Sequence, residues 1–157
     1  MIEIRRANIS DIDTLYDLIN IYSDKEIVLP RTKESLYQNV FSIFVAIVDG
    51  KVVGSASLTI LDKQLAEIRS LVVDSSMKKA GIGKLLVETI IEETKRLGID
   101  KLISLTYQVE FFQKCGFEVT VKDNMPQKVW KDCIHCPKLH HCDEIAMIMY
   151  VNDRVLV

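Results

Sequence analysis

Two stretches of the chain set chemically active residue types close together. In the first, Leu71-Val72-Val73-Asp74-Ser75-Ser76-Met77-Lys78-Lys79-Ala80-Gly81-Ile82-Gly83-Lys84, an apolar β-type run passes through a basic, glycine-bearing loop into residues of helical spacing. Such a junction aims unpaired backbone N–H groups and the positive end of a helix dipole at one point, which suits a phosphate. Lys78, Lys79 and Lys84 add positive charge around those donors. A Gly81-x-Gly83 pair is also common at strand-to-helix turns for conformational reasons alone. The stretch is not a mononucleotide P-loop, which needs a longer glycine spacing and a Lys-Ser/Thr pair. It is not a dinucleotide fingerprint either, since Leu86 stands where the third glycine belongs. What remains is a loop with three lysines around backbone donors, an arrangement that suits a pyrophosphate held mainly by main-chain N–H groups.

The second stretch is Cys133-x-x-Cys136 followed by Cys142, interspersed with His135, His140, His141 and Asp143. These are the ligand types and the close cysteine pair of a tetrahedral zinc site, with a fourth ligand that the spacing leaves open. Free thiols and a disulfide formed on purification are competing readings, and an iron–sulfur cluster lacks a fourth cysteine nearby. A structural zinc would explain how an irregular excursion over about 122–143, holding Pro126 and Pro137, is tied down.

The rest of the chain bounds these readings. At 157 residues it is expected to form one domain, with 48% hydrophobic and 27% charged residues and a formal net charge of -2. That balance offers no general attraction for nucleic acid or acidic membranes. The N-terminus lacks the apolar core of a signal peptide, and no apolar run approaches the ~20 residues of a membrane span. A cytoplasmic location is the expectation.

The elements that must position the junction follow from periodicity. Ile2 to Arg6 reads as a short strand, and Ser10 with Asp13 as a helix start whose inner face is Ile12, Leu15, Tyr16, Ile19 and Tyr22. Pro30 breaks the chain, and Thr32 caps a second helix with Leu36, Val40 and Phe41 inward. Ile43 to Val48, the Asp49-Gly50 turn and Lys51 to Ile60 make a hairpin, and Ala66 to Val73 adds the next strand. The helix after the junction presents Ile82, Leu85, Leu86, Ile90 and Leu97, pairs Glu92 with Arg96, and stops at Gly98. Lys101 to Thr106 then runs parallel to the strand ending at Val73, as a βαβ crossover requires. A short helix over Val109 to Lys114, a break at Gly116, and strands near Phe117 to Val121 and Ile145 to Val151 complete an α/β (α+β) sheet. Six to seven mostly antiparallel strands are expected, with flanking helices and one splayed parallel pair.

This order of elements, with V-V-D-x-x-x-K-x-x-G-x-G-x-L-L and then Phe111-Phe112-Gln113-Lys114-Cys115-Gly116-Phe117, resembles the GNAT superfamily of acetyl-CoA-dependent N-acetyltransferases over residues 1–121. Lys78 occupies the position where the family has arginine or glutamine. Within the superfamily the chain more closely resembles the acetyltransferase domain of N-acetylglutamate synthases, through Leu29-Pro30-Arg31-Thr32, Ala66-Glu67-Ile68-Arg69-Ser70-Leu71-Val72-Val73, Leu105-Thr106, the same Phe111 to Phe117 segment and Met125-Pro126-Gln127-Lys128. Single-domain relatives also resemble its tail from Lys128 to Cys142.

The resemblance implies roles. Backbone atoms of Leu71, Val72 and Val73 would hold pantetheine, and Lys78, Lys79, Ala80, Gly81, Ile82, Gly83 and Lys84 the pyrophosphate of acetyl-CoA, with Phe112 beside the cofactor. Glu67 would be the general base, its alternative being a solvated strand carboxylate. Where many family members carry a tyrosine to protonate the departing thiolate, this chain has Phe112, which cannot donate. Tyr107 is a substitute, or the thiolate leaves without an acid. Arg31 matches the arginine that binds the acceptor's carboxylate, while Arg69 serves the substrate or pairs with Glu67. The synthases carry Thr-Arg-Ser where this chain reads Tyr107-Gln108-Val109, which puts Gln108 in the acceptor site, with Lys128 as a compensating cation. The implied activity is acetyl transfer to the α-amino group of glutamate or a related amino acid, as in arginine biosynthesis. Acceptors such as a protein N-terminus, lysine or polyamine, and a non-catalytic coenzyme-A sensor, are the competing functions. A homodimer is the assembly common in the family.

Overall fold

The computed structural model describes residues 1–23, 31–121 and 145–152, with Tyr22, Ser23, Lys78 and Lys79 described for their backbone alone. In chain order the elements are β1 (Ile2–Arg6), α1 (Ile12–Ser23), α2 (Lys33–Gln38), β2 (Ile43–Val48), β3 (Lys51–Asp62), β4 (Leu65–Val73), α3 (Ile82–Arg96), β5 (Lys101–Thr106), α4 (Val109–Lys114), β6 (Glu118–Thr120) and β7 (Ile145–Tyr150). Short 3-10 turns lie at Ile9–Asp11, Val40–Ser42 and Ser75–Ala80.

Seven strands make one mixed sheet in the order β1-β2-β3-β4-β5-β7-β6. It is mostly antiparallel, and β4 with β5 is its parallel pair, as a strand–helix–strand crossover demands. That parallel ladder is short. It joins Leu65 to Lys101, Ala66 to Leu102 and Glu67 to Ile103, although β4 runs on to Val73 and β5 to Thr106. No described helix is long and apolar enough to cross a membrane.

Contacts divide the chain into two compact units, Met1–Thr59 with Ile68–Glu92 and Ile60–Glu67 with Glu93–Val157. In the first, α1 presents Ile12, Leu15, Leu18 and Ile19 to Leu36, Val40, Val72 and the alternating Ile43, Val45 and Ile47 of β2. Burial of each such side chain contributes about 1.5–3 kcal/mol. In the second unit, Leu65, Ile103, Ala146 and Ile148 form a cluster with Leu61 and Leu105 against it. There β7 pairs with β5 from Lys101–Tyr150 to Thr106–Ile145, and β6 pairs with the other edge of β7.

Several expectations change. The first helix is entered through Asn8, not Ser10: the Asn8 side chain accepts from the Ser10 N–H at 3.1 Å and Asp11 reaches back to the Asn8 N–H at 2.8 Å, a capping box. Phe41 points outward, 82% exposed, because the 3-10 turn rotates it off the inner face that Leu36 and Val40 occupy. On α3, Leu85 is exposed, as is Leu97 just past its end, while Val87 and Thr94 are buried, as are Ile82, Leu86 and Ile90. Arg96 bonds Glu93 at 2.8 Å, one residue nearer than the Glu92 pairing that the spacing predicts.

Asp11 does more than cap. Its carboxylate takes both Arg5 Nη1 at 2.7 Å and Nη2 at 3.2 Å, fixing β1 to the helix entrance. The Arg5 hydrogen bond, working against burial, holds the Asp11 pKa below its ordinary value. Asp11→Ala is expected to lower the unfolding free energy by about 2 kcal/mol, a figure discounted for the partial exposure of Arg5. Because the folded pKa is the lower one, this stabilisation is complete above the unfolded carboxylate pKa of about 3.9 and is lost as pH falls through the folded value. Urea titrations at neutral and acid pH check it: the gap between the two proteins should close on acidification, and a constant gap would contradict the assignment.

Candidate active site

The β4–α3 junction is built by local bonds. The Asp74 N–H donates to the Val53 carbonyl at 2.7 Å, and the Asp74 carboxylate accepts from the Ser76 N–H at 2.9 Å and Ser76 Oγ at 2.7 Å. Those Ser76 bonds hold the Asp74 pKa below its ordinary value. The chain then turns at Gly81, whose φ of +79 favours glycine although the space around it is open. α3 starts at once, the Leu85 N–H bonding the Gly81 carbonyl at 3.2 Å. Of the N–H groups that precede the first intrahelical bond, that of Ile82 is fully buried, while those of Gly83 and Lys84 lie on residues that reach the surface and can meet an anion. An exposed Gly81 and an exposed Lys84 flank them, and this donor set fits a pyrophosphate.

A glycine that the sequence reading passed over makes this packing feasible. A Cβ on Gly54 of β3 would stand 3.0 Å from the Val72 carbonyl oxygen and 3.2 Å from both Ile82 Cγ2 and Leu86 Cδ1. Its absence lets α3 settle against the strands behind the loop. An isolated glycine inside an apolar strand was the available signal.

In the same unit, Arg31 borders a cavity of about 590 Å³ lined also by Tyr16, Asn20, Thr32 and Lys33. Arg31 Nη1 donates to Ser57 Oγ and Ser70 Oγ, both at 3.3 Å, and Nη2 to Ser35 Oγ at 3.2 Å. Lys33 is held at its rim by Asp13, 3.0 Å away, and lies over the Tyr16 ring, 5.3 Å from its centroid. The Asp13 bond raises the Lys33 pKa, so the cation persists. Arg69 donates to Thr59 Oγ1 at 3.3 Å.

The second unit carries the other candidates. Glu67 on β4 is 2% exposed and stands opposite Ile103 in the parallel ladder. Tyr107, 38% exposed, and Gln108 follow β5; the Gln108 N–H bonds Thr106 Oγ1 at 2.7 Å and Gln108 leads into α4. Phe112 is a packed ring, 3% exposed, edge-on to both Phe111 and Phe117 at centroid distances of 5.2 and 5.1 Å. Lys128, Cys133, Cys136 and Cys142 lie outside the described residues, among which no cluster of His, Cys, Asp or Glu could hold a metal.

A family model described as acetyltransferase (GNAT) family matches residues 11–117. The chain belongs to the GNAT acetyltransferase family. It is therefore an acyltransferase, with the mixed sheet of that family. It is 35% identical over 145 residues to an uncharacterized N-acetyltransferase of Chlorobaculum tepidum, covering 92% of this chain and 94% of that protein. To an amino-acid acetyltransferase of Mycobacterium tuberculosis it is 35% identical over 117 residues, covering 73% of this chain and 67% of the relative. Among GNAT structures, N-acetylglutamate synthase from Neisseria gonorrhoeae, complexed with coenzyme A and N-acetyl-glutamate, superposes with a TM-score of 0.87 at 25% identity. The match covers 98% of this chain but 36% of the synthase.

Proposed function

We propose that this GNAT protein transfers the acetyl group of acetyl-CoA to the α-amino group of glutamate or a related amino acid, in arginine biosynthesis. The observation that carries this reading is Arg31, a cation fixed at the wall of a cavity in the unit that bears the β4–α3 junction. A bound arginine there selects an acceptor with a carboxylate, as a free amino acid has and a polyamine lacks. The likeness to an amino-acid acetyltransferase and to a synthase complexed with coenzyme A and N-acetyl-glutamate supports the same acceptor class.

In this mechanism the main chain of Val72 and Val73 holds pantetheine, and N–H groups within residues 79–84 hold the pyrophosphate. Glu67, on the same strand as Val72, takes the proton from the attacking amine directly or through water. The N–H near Val72 steadies the charge that develops on the thioester oxygen. As the new N–C bond forms the C–S bond breaks, and coenzyme A leaves as thiolate or is protonated by Tyr107. Binding and alignment of the two substrates supply the rest of the rate.

Release of free coenzyme A, followed with glutamate, glutamine, aspartate, lysine and spermidine in turn, tests the reading. Glutamate or glutamine should stimulate release. If none of the amino acids does so above background, the amino-acid assignment falls, and stimulation by spermidine alone would move the acceptor to the polyamine class.

A further inference from the structure

Arg31 is held by hydroxyls from three separate parts of the first unit: Ser35 in α2, Ser57 in β3 and Ser70 in β4. Two features set this apart from ordinary satisfaction of a half-buried arginine. First, Ser57 and its neighbour Ser55 are 2% and 1% exposed in an otherwise apolar stretch of β3, and both turn their hydrogens away from Arg31. Ser57 Oγ donates to the Arg69 carbonyl at 3.1 Å, and Ser55 Oγ to the Ser70 carbonyl at 3.2 Å. With its proton committed to the strand, Ser57 presents lone pairs to the guanidinium. Second, Ser70 has a φ of +52, a left-handed conformation that a serine inside a strand adopts only at a cost. Its side chain, on that kinked backbone, completes the grip on Arg31 at 3.3 Å. At least three of the five N–H donors of the guanidinium thus go to acceptors fixed by strands and a helix, which removes most of its rotamer freedom before any acceptor arrives.

We infer that Ser35, Ser57 and Ser70 are positioning residues that pre-organise Arg31 for the acceptor's α-carboxylate. The inference rests on the reading of Arg31 given above. An anchor held in this way spends no acceptor binding energy on ordering its own side chain. The kink at Ser70 also places this clamp two residues before Val72 on one strand, so the acceptor's anchor and the pantetheine strand share a backbone.

The test compares Ser57→Ala, Ser70→Gly, Ser35→Ala and Ser35→Thr with Arg31→Ala, measuring KM for each substrate and unfolding by urea. Ser70→Gly is the decisive variant, since glycine relieves the positive φ and leaves the fold as stable or more so. The structure predicts that it nevertheless raises acceptor KM about fivefold, the effect of one hydrogen bond, with KM for acetyl-CoA unchanged. Ser57→Ala and Ser35→Ala should do the same, and Ser35→Thr, which keeps the hydroxyl on a half-buried helix position, should restore the parent value. If Arg31→Ala raises acceptor KM while the serine variants stay within twofold of the parent, the clamp is wrong and the Arg31 anchor stands. Should Arg31→Ala itself leave acceptor KM unchanged, the anchor reading fails and the clamp with it. An equal rise in both KM values for the serine variants would also overturn the inference, by assigning them to general integrity of the unit.

Discussion

Glu67→Gln is expected to lower kcat/KM for the amino-acid acceptor by roughly a hundred- to ten-thousandfold, the usual contribution of a positioned general base. Glu67 is 2% exposed, in the three-residue ladder that joins β4 to β5. A carboxylate in such surroundings is costly to bury, so its presence calls for a reason beyond packing. Glutamine keeps the shape and much of the hydrogen-bonding capacity but cannot take a proton from the amine, so the fold should be retained while the chemistry is lost. The pH dependence separates this from a structural effect. A base must be ionised to act, so kcat/KM of the parent enzyme should fall on its acid side; without the base only acceptor already present as free amine reacts, so in the variant that limb should move up toward the pKa of the acceptor's amine. A rate within threefold of the parent, or an unchanged acid limb, would remove Glu67 from the base role. The same strand continues to Val72, and a base placed on it needs no loop to bring it into register.

Much of the scaffold around that strand is encoded locally. Asp49-Gly50 takes φ values of 51 and 77, the two left-handed residues that a tight hairpin requires, so the β2–β3 turn is legible from two letters. Gly81 and Gly98, at φ 79 and 77, mark the entrance and exit of α3 in the same way. Other features depend on partners far away in sequence. β7 follows the cysteine-bearing part of the sequence yet lies between β5 and β6, an order that no local pattern contains. Ser70 reads as one more strand residue, and its positive φ is visible only once the chain is folded. Asn8 was legible, since Asn8-x-x-Asp11 is a capping box, but the hydroxyl of Ser10 competes for the same reading. The candidate site divides likewise. Its loop is a backbone conformation written by glycine and lysine, whereas the fixing of Arg31 depends on serines at positions 35, 57 and 70 that carry no motif.

Arg31 therefore bears the other large prediction. Arg31→Ala should lower kcat/KM for the acceptor roughly 30- to 150-fold, about 2–3 kcal/mol for the loss of charge-assisted hydrogen bonds to a carboxylate, while KM for acetyl-CoA stays within about twofold. Arg31→Lys should recover only part of this. Its ammonium keeps the charge, but a single point donor cannot span Ser35 on one side and Ser57 with Ser70 on the other while still meeting a carboxylate in the plane of a fork. A lysine variant equal to the parent would mean that charge alone matters there and that the planar geometry is incidental. The acceptor itself supplies the remaining control. An amine with no α-carboxylate gains nothing from Arg31, so its rate, however low, should be unchanged or raised when the cation is removed. Measured side by side, the glutamate or glutamine rate and the amine rate should move apart in Arg31→Ala. If both fell together, Arg31 would be supporting the fold of its unit instead of choosing the acceptor, because only a group in contact with the carboxylate can distinguish the two amines.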